Sequence, residues 1–340
     1  MTLVVDNTGA LLGARVGASS ENWDGGGDMI DMQATMGDVT IDGTEFGGEI
    51  IRGYFRVRAS NVIFRELRIR TGDPLNAYEG LGNPILLTGT NNPVRNIVID
   101  HVSLMWGTAM NLAIYNDVAD VTVQNTIMAE GLQYTHRSGP SAGEFHTAKC
   151  VNIDVQGDPA RPWPKRITFY RNLLSTCTHR APMLFNVENL DWVNNVTYNA
   201  ANRSMEGNPR GLNYVGSVVR SGPDTTTYGK QSGVFRSDLN GDSSTSYHPN
   251  SVYLRDVVAD GFPAASSFAA GVQRSTPYGS GIHNIPLVEP ADAVLGRVAA
   301  LAGPTLRDAT DARVIGNLLN RTSSGIFNAS YEPREPKPSW

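Results

Sequence analysis

The side chains best suited to chemistry in this chain are basic and fall in three short segments. His136 and Arg137 sit in the segment THRSG, His146 and Lys149 follow in FHTAK, and His179-Arg180 opens the phrase HRAP. Clustered guanidinium, imidazole and ammonium groups suit charge neutralisation on a carboxylated ligand, each charge-assisted contact contributing about 1–3 kcal/mol. The acids are arranged differently. Asp100 stands beside His101, a pair that looks catalytic in isolation but lies at the turn of its own strand, so it reads as a hydrogen-bonded corner. Glu130 has no second carboxylate in register with it and reads as a turn cap, which disfavours glycoside hydrolysis, a chemistry of paired carboxylates. Trp106, Tyr115 and Tyr134 could stack sugar rings, although buried aromatics are the default. Cys150 and Cys177 make neither a disulfide framework nor a metal-ligand set, and read as two buried thiols.

These residues must be carried by short strands and turns. The 340 residues include 35 Gly and 19 Pro with 18% charged residues, a composition poor in long helices. A net charge of −5 argues against general nucleic-acid binding, and no run of 18 apolar residues suggests a membrane span. The opening residues, MTLVVDNTGALLG, lack a basic stretch followed by a sustained apolar one, so as written they do not read as a secretory signal.

From Asp38 onward alternating apolar and polar runs dominate, and one phrase recurs, as in NIVIDHVSLM and DVTVQNTIMA. The pairs Val62/Phe64, Ile97/Ile99, Val121/Val123, Ile167/Phe169 and Leu190/Trp192 occupy the same two slots of a unit of about two dozen residues, which some copies lengthen with an inserted loop. One such rung cannot bury its apolar side alone, whereas stacked rungs bury a continuous column. Asn172 and Asn195 share a corner slot where Asn tolerates left-handed backbone and can stack its amides. The spacing therefore predicts an all-β fold, a single-stranded parallel β-helix solenoid. A β-sandwich would show more two-residue Asn-Gly or Asp-Gly turns than the one at Asp42-Gly43.

The predicted organisation is a cap or attachment segment over 1–37, the β-helix over 38–260 and a flanking segment over 261–340. Insertions near 71–83, 131–145, 156–165 and 201–211 are placed to wall a groove. Helical spacing over 289–302 and 307–320, separated by Gly303-Pro304, predicts two short helices that cap or flank the stack and protect its last edge strands, ahead of a Pro-rich tail.

In order along the chain, TIDGTEFGGEIIRGYFRVRASNVIFRELRIRTGD, IDHVSLMWGT, AEGL, FYRNLLSTCTHRAP and WVNNVTYNA resemble successive segments of the bacterial pectate lyase family, a right-handed parallel β-helix. The tail ADAVLGRVAALAGPTLRDATDARV resembles that family's C-terminal section. The resemblance implies β-elimination on polygalacturonate. A base takes the C5 proton, the C4 oxygen leaves, and Ca²⁺ held by acidic side chains stabilises the carboxylate. It places Arg180, in Arg-x-Pro, at the family's catalytic position, with His136, Arg137, His179 and Lys149 lining the substrate groove.

The metal site departs from the pattern. Trp106-Gly107-Thr108-Ala109-Met110-Asn111 stands where the family has Trp-Gly-Thr-Asp-Glu-Asn, and Asn83 stands where it has Asp. Ala and Met cannot ligate a hard cation, so no metal and no other cofactor is expected.

Two functions remain open at this stage. One is a calcium-independent lyase on an acidic or esterified polysaccharide, working through Arg180. The other is a non-catalytic polysaccharide-binding or structural virion protein, a phage tailspike, fibre or head-decoration piece. Such a piece would be a homotrimer or would attach through residues 1–37. Either function would act outside the cell or on a virion surface, with a polysaccharide as partner and neither nucleic acid nor membrane.

Overall fold

The computed structural model describes residues 2–3, 28–45, 48–51, 53–72, 82–132, 149–178, 180–201, 204–225, 235–236, 251–261, 273–279 and 287–325. Every strand pairing in it is parallel, and the chain winds as a right-handed parallel β-helix with three faces. The recurring slots stack as their spacing predicts. Val62 lies opposite Ile97, Ile97 opposite Val121, Val121 opposite Ile167 and Ile167 opposite Leu190, with Phe64, Ile99, Val123, Phe169 and Trp192 in the companion column. The columns continue through Val39 and Ile41 at one end and through Leu212 and Tyr214 at the other. These side chains are almost wholly buried apart from Val39, and the rings of Phe169, Trp192 and Tyr214 stack at 4.9 and 6.1 Å.

The 201–211 segment is therefore only partly an insertion. Met205–Gly207 and Arg210–Val215 are strands of a further rung, the first of them too short to show alternation. Outside the 38–260 span, Asp28–Met32 pairs with Gly53–Val57 and Gln273–Arg274 pairs with Val252–Arg255, so the sheet reaches beyond both limits.

Corners explain how one chain keeps this shape. The residue after seven of the second-face strands takes a left-handed conformation: Glu66, His101, Asn125, Arg171, Asn194, Gly216 and Asp256 all have positive φ. A corner amide then donates to a carbonyl on the next rung, as Asn125 does to Tyr170 and Asn194 to Val215. Asn172 and Asn195 stand one position later with ordinary backbone, so the left-handed role falls on their neighbours Arg171 and Asn194. Their amides do stack. Asn172 Nδ2 donates to Asn195 Oδ1 at 2.9 Å, and each amide also bonds a strand carbonyl, Val123 O and Phe169 O respectively.

His101 accepts or donates at Nδ1 against Asp100 Oδ1 at 2.8 Å, the corner pair its position predicts. That bond raises the imidazole above its usual 6.5, against the opposing effect of burial. A folded-state value above the unfolded one gives stability that is complete below 6.5 and lost as pH rises through the raised value. The melting temperature of His101→Gln is therefore expected to approach that of the parent as pH is taken through this window. A constant gap at every pH would contradict the account.

The third face consists of three-residue strands such as Ser103–Met105, Ile127–Ala129 and Leu173–Ser175, buried on both sides. Helix α1 (Ala291–Leu301) and helix α2 (Ala309–Asn320) cover it, with Val294, Val298, Val314 and Leu318 packed in one cluster with Ile127, Leu173, Val196 and Tyr198. The helices thus lie along a face and flank the stack. Glu130 does not cap a turn. Its buried carboxylate accepts from Trp106 Nε1 at 3.1 Å and from Arg313 of α2 at 2.5 and 3.0 Å.

The cysteines correct another expectation. Cys150 and Cys177 are buried, but bonded to each other with Cα atoms 5.7 Å apart. The interior brings the first-face strand Lys149–Asp154 against the end of the third face one rung on, an adjacency that sequence separation hides. The closed loop has a sequence separation of 27, for which chain entropy gives about 3.5 kcal/mol. Urea unfolding of the Cys150→Ala/Cys177→Ala protein is expected to show that loss, and added reductant is expected to change the variant little.

Candidate active site

Two long strands, Ile85–Asp100 and Met110–Gln124, run across the first and second faces and join them into one sheet. The bend is tight at Gly89, where a Cβ would come within 2.3 Å of the Asp117 carbonyl oxygen. On the first face, Phe55, Ile85, Leu112 and Val151 point into the core. The next position faces outward and forms a ladder through Asp31, Arg56, Leu86, Ala113, Asn152, Met183 and Glu206. Two positions further along lie Thr88, Tyr115 and Asp154. At one end of the ladder buried Asp31 accepts from both Arg56 and Arg58.

Arg180 sits at the edge of this face. Its carbonyl accepts from Val151 N at 3.0 Å, it has left-handed backbone, and its side chain remains 27% exposed. Its Nε lies 3.6 Å from Glu206 Oε1, a carboxylate only 3% exposed. Arg180 also acts electrostatically on Tyr115 and Asp154. Burial pushes the Tyr115 phenol up to about 12, and its oxygen accepts from Asn152 Nδ2 at 2.9 Å. Burial likewise raises Asp154, against bonds from Val155 N and Asn186 Nδ2. Around Arg180 the face thus gathers a buried acid, a neutral phenol and a second acid.

Where the resemblance would place metal-binding acids, the surface is apolar. Ala109, Met110, Ala113 and Tyr115 form a small buried cluster with Leu86 against it. The oxygen of buried Asn83 is already engaged, accepting the Met110 backbone N–H at 2.9 Å. Among the described residues no group of three or more His, Cys, Asp or Glu side chains could hold a metal ion. The donor set at these positions does not fit Ca²⁺, which takes six to eight oxygens.

Lys149 starts the strand that pairs with this region. It lies opposite Met110, and its amide donates to Ala109 O at 3.3 Å. His136, Arg137, His146, Tyr134 and His179 fall outside the described residues. Trp106 and Tyr115 are buried, at 7% and 6% exposure, so neither presents a face for a sugar ring. Glu206, Asn152 and Asp154 were not singled out from sequence. Glu206 sits in the segment read as an insertion, and only the rung register reveals it.

A probable pectate lyase C from Aspergillus flavus is 30% identical over 200 residues, covering 55% of this chain and 40% of that protein. A probable pectate lyase C from Aspergillus fumigatus is 27% identical over 310 residues, covering 84% of this chain and 63% of that protein. The chain is a pectate-lyase relative. It spans less than two thirds of the length of these curated relatives. No protein-family model matches it. Among solved structures, the pectate lyase of Bacillus sp. N165 in complex with trigalacturonate superposes with a TM-score of 0.57 at 17% identity, over 81% of this chain and 80% of that one. Jun a 1, the major allergen from cedar pollen, gives 0.57 at 16% identity, over 82% and 76%. These two likenesses establish the parallel β-helix for this pectate-lyase relative. Among the described residues no helix is long and apolar enough to cross a membrane.

Proposed function

We propose that this pectate-lyase relative is a polysaccharide lyase that cleaves an acidic or esterified uronan by β-elimination without calcium, with Arg180 as the catalytic group. The observation that carries the reading is Arg180 itself, a guanidinium balanced by buried Glu206 at the edge of a face whose metal positions have become apolar. Arginine stays protonated in nearly every protein setting, so it supplies permanent charge. As the C5 proton leaves for a solvent base, its electron pair forms the C4–C5 double bond, and the C4–O bond breaks as its oxygen takes a proton from water. Negative charge grows on the neighbouring carboxyl group, and a fixed cation there lowers the barrier. The apolar cluster of Leu86, Ala109 and Met110 favours an esterified carboxyl group over a bare one, because it offers a buried charge no partner. Lys149, His136, Arg137 and His179 are proposed to bind the chain on either side of the scissile bond.

The disulfide supports an oxidising compartment and hence extracellular action. The attachment role read into residues 1–37 concerns a segment mostly outside the described residues. The test is product formation, followed as the ultraviolet absorbance of unsaturated uronides on pectin, polygalacturonate and bacterial capsular polysaccharides. Absorbance that Arg180→Ala removes supports the lyase. Binding without product on every polymer would replace it with a non-catalytic carbohydrate-binding protein.

A further inference from the structure

β-Elimination is faster when a side chain takes the C5 proton than when solvent takes it directly. Among the described residues of the first face, few groups could do so. Glu206 is almost wholly buried and faces the Arg180 guanidinium. The Tyr115 phenol, pushed up to about 12, donates to Met110 Sδ at 3.2 Å and accepts from Asn152. Asp31, at the far end of the ladder, is buried against Arg56 and Arg58. Asp154 remains.

Asp154 ends the strand Lys149–Asp154 and stands opposite Tyr115, two positions beyond Asn152, so its side chain leaves the same face. It is half-buried, whereas Cys150 to Ile153 before it are buried. One oxygen anchors the group. Oδ1 accepts from Val155 N at 2.7 Å and from Asn186 Nδ2 at 3.0 Å, and Oδ2 takes no bond from any described residue. The carboxyl group is thus fixed in place with a second oxygen able to accept a proton. On the following rung the chain carries Phe185, whose N–H donates to Ile153 O at 2.9 Å, so that strand sets no second acid against it. The ionisable groups that face Asp154 are Tyr115 on the preceding rung and Arg180 at the edge.

Burial raises the Asp154 carboxyl above its usual 3.8, against the lowering effects of Val155, Asn186 and the Arg180 charge. A raised carboxyl is a stronger base. Tyr115 lies too high and Arg180 stays protonated, so neither titrates in the same range. A cation at the substrate carboxyl group acidifies the C5–H bond, and a base on the same face can then take the proton. The C5–H bond breaks as an O–H bond forms at Asp154 Oδ2, and the electron pair makes the C4–C5 double bond. The C4–O bond breaks as its oxygen takes a proton from water. The hydroxide left behind removes the proton from Asp154, which restores the carboxylate.

We propose that Asp154 is the general base of the elimination, passing the C5 proton on to solvent, a role that rests on the lyase reading above. The test is kcat and KM against pH on the preferred uronan for the parent, Asp154→Asn and Asp154→Ala. Asp154→Asn keeps an acceptor oxygen for Val155 and Asn186, and is expected to lower kcat about a hundredfold with KM little changed. The parent kcat should fall as pH drops through an apparent pKa above 3.8, and that acid limb should be absent in Asp154→Asn. Added formate should restore part of the rate to Asp154→Ala and none to Arg180→Ala. Melting temperatures within a few degrees of the parent show that the variants remain folded. A kcat within about threefold of the parent in Asp154→Asn, an acid limb that persists there, or a lost rate that formate does not restore would each overturn the base role and leave the lyase reading standing. A parent that forms no unsaturated product on any polymer would end that reading, and the base role with it.

Discussion

Replacing Arg180 by alanine is expected to lower kcat on the preferred uronan by about two to three orders of magnitude, the usual effect of removing one group aimed at developing charge. KM should move far less, because a charge that grows in the transition state acts mainly there. Arg180→Lys should recover part of the rate, since it restores the positive charge but not the planar fork. One side effect needs separating. Glu206 is buried, and removing Arg180 withdraws the cation that faces it at 3.6 Å. The double variant Arg180→Ala/Glu206→Gln removes that carboxylate's charge as well, so a rate that stays low in it belongs to Arg180 itself. Initial rates across substrate concentration, measured on all three proteins, separate the two effects. A kcat unchanged in Arg180→Ala would end the proposed role.

The second large effect is structural. Asp311, fully buried in the first turn of α2, accepts from Arg68 Nε at 3.0 Å and Ser103 Oγ at 2.7 Å, with Arg70 NH2 at 3.4 Å. Asp308 caps the same helix by accepting the Asp311 N–H at 2.9 Å, and it pairs with Arg70 at 2.6 Å. Burial would raise the Asp308 carboxyl, but the Arg70 hydrogen bond and charge outweigh it and hold the group low, whereas burial leaves Asp311 raised. Both arginines are only 4% exposed. Asp311→Ala would leave buried guanidinium charge undercompensated, at a cost of about 3–5 kcal/mol. Urea unfolding of the variant measures it, and a loss below about 1 kcal/mol would mean that α2 is held by its apolar contacts alone.

The fold was legible where the physics repeats. Val, Ile and Phe recur in two fixed slots because each rung must bury the same two positions against its neighbours, and all five pairs read from the sequence prove to stack. The two helices were legible from their 3.6-residue spacing and lie within two residues of the expected spans. First-face strands such as Met183–Leu184 are too short to carry a pattern, so Glu206 and its neighbour Arg180 could not be placed together. The Arg70–Asp308 pair and the disulfide join residues that only the coiling of the chain makes adjacent. At the site, Ala109 and Met110 could be read directly at positions where the resemblance implies acids. What fills the space, an apolar cluster with the Asn83 oxygen already bonded, required coordinates.

The most direct test of calcium-independent action by this pectate-lyase relative is the initial rate of unsaturated product formation in excess EDTA against the rate with added Ca²⁺. The apolar metal positions predict equal rates under the two conditions. A rate abolished by EDTA and restored by Ca²⁺ would show that the chain holds the metal after all and would contradict the account.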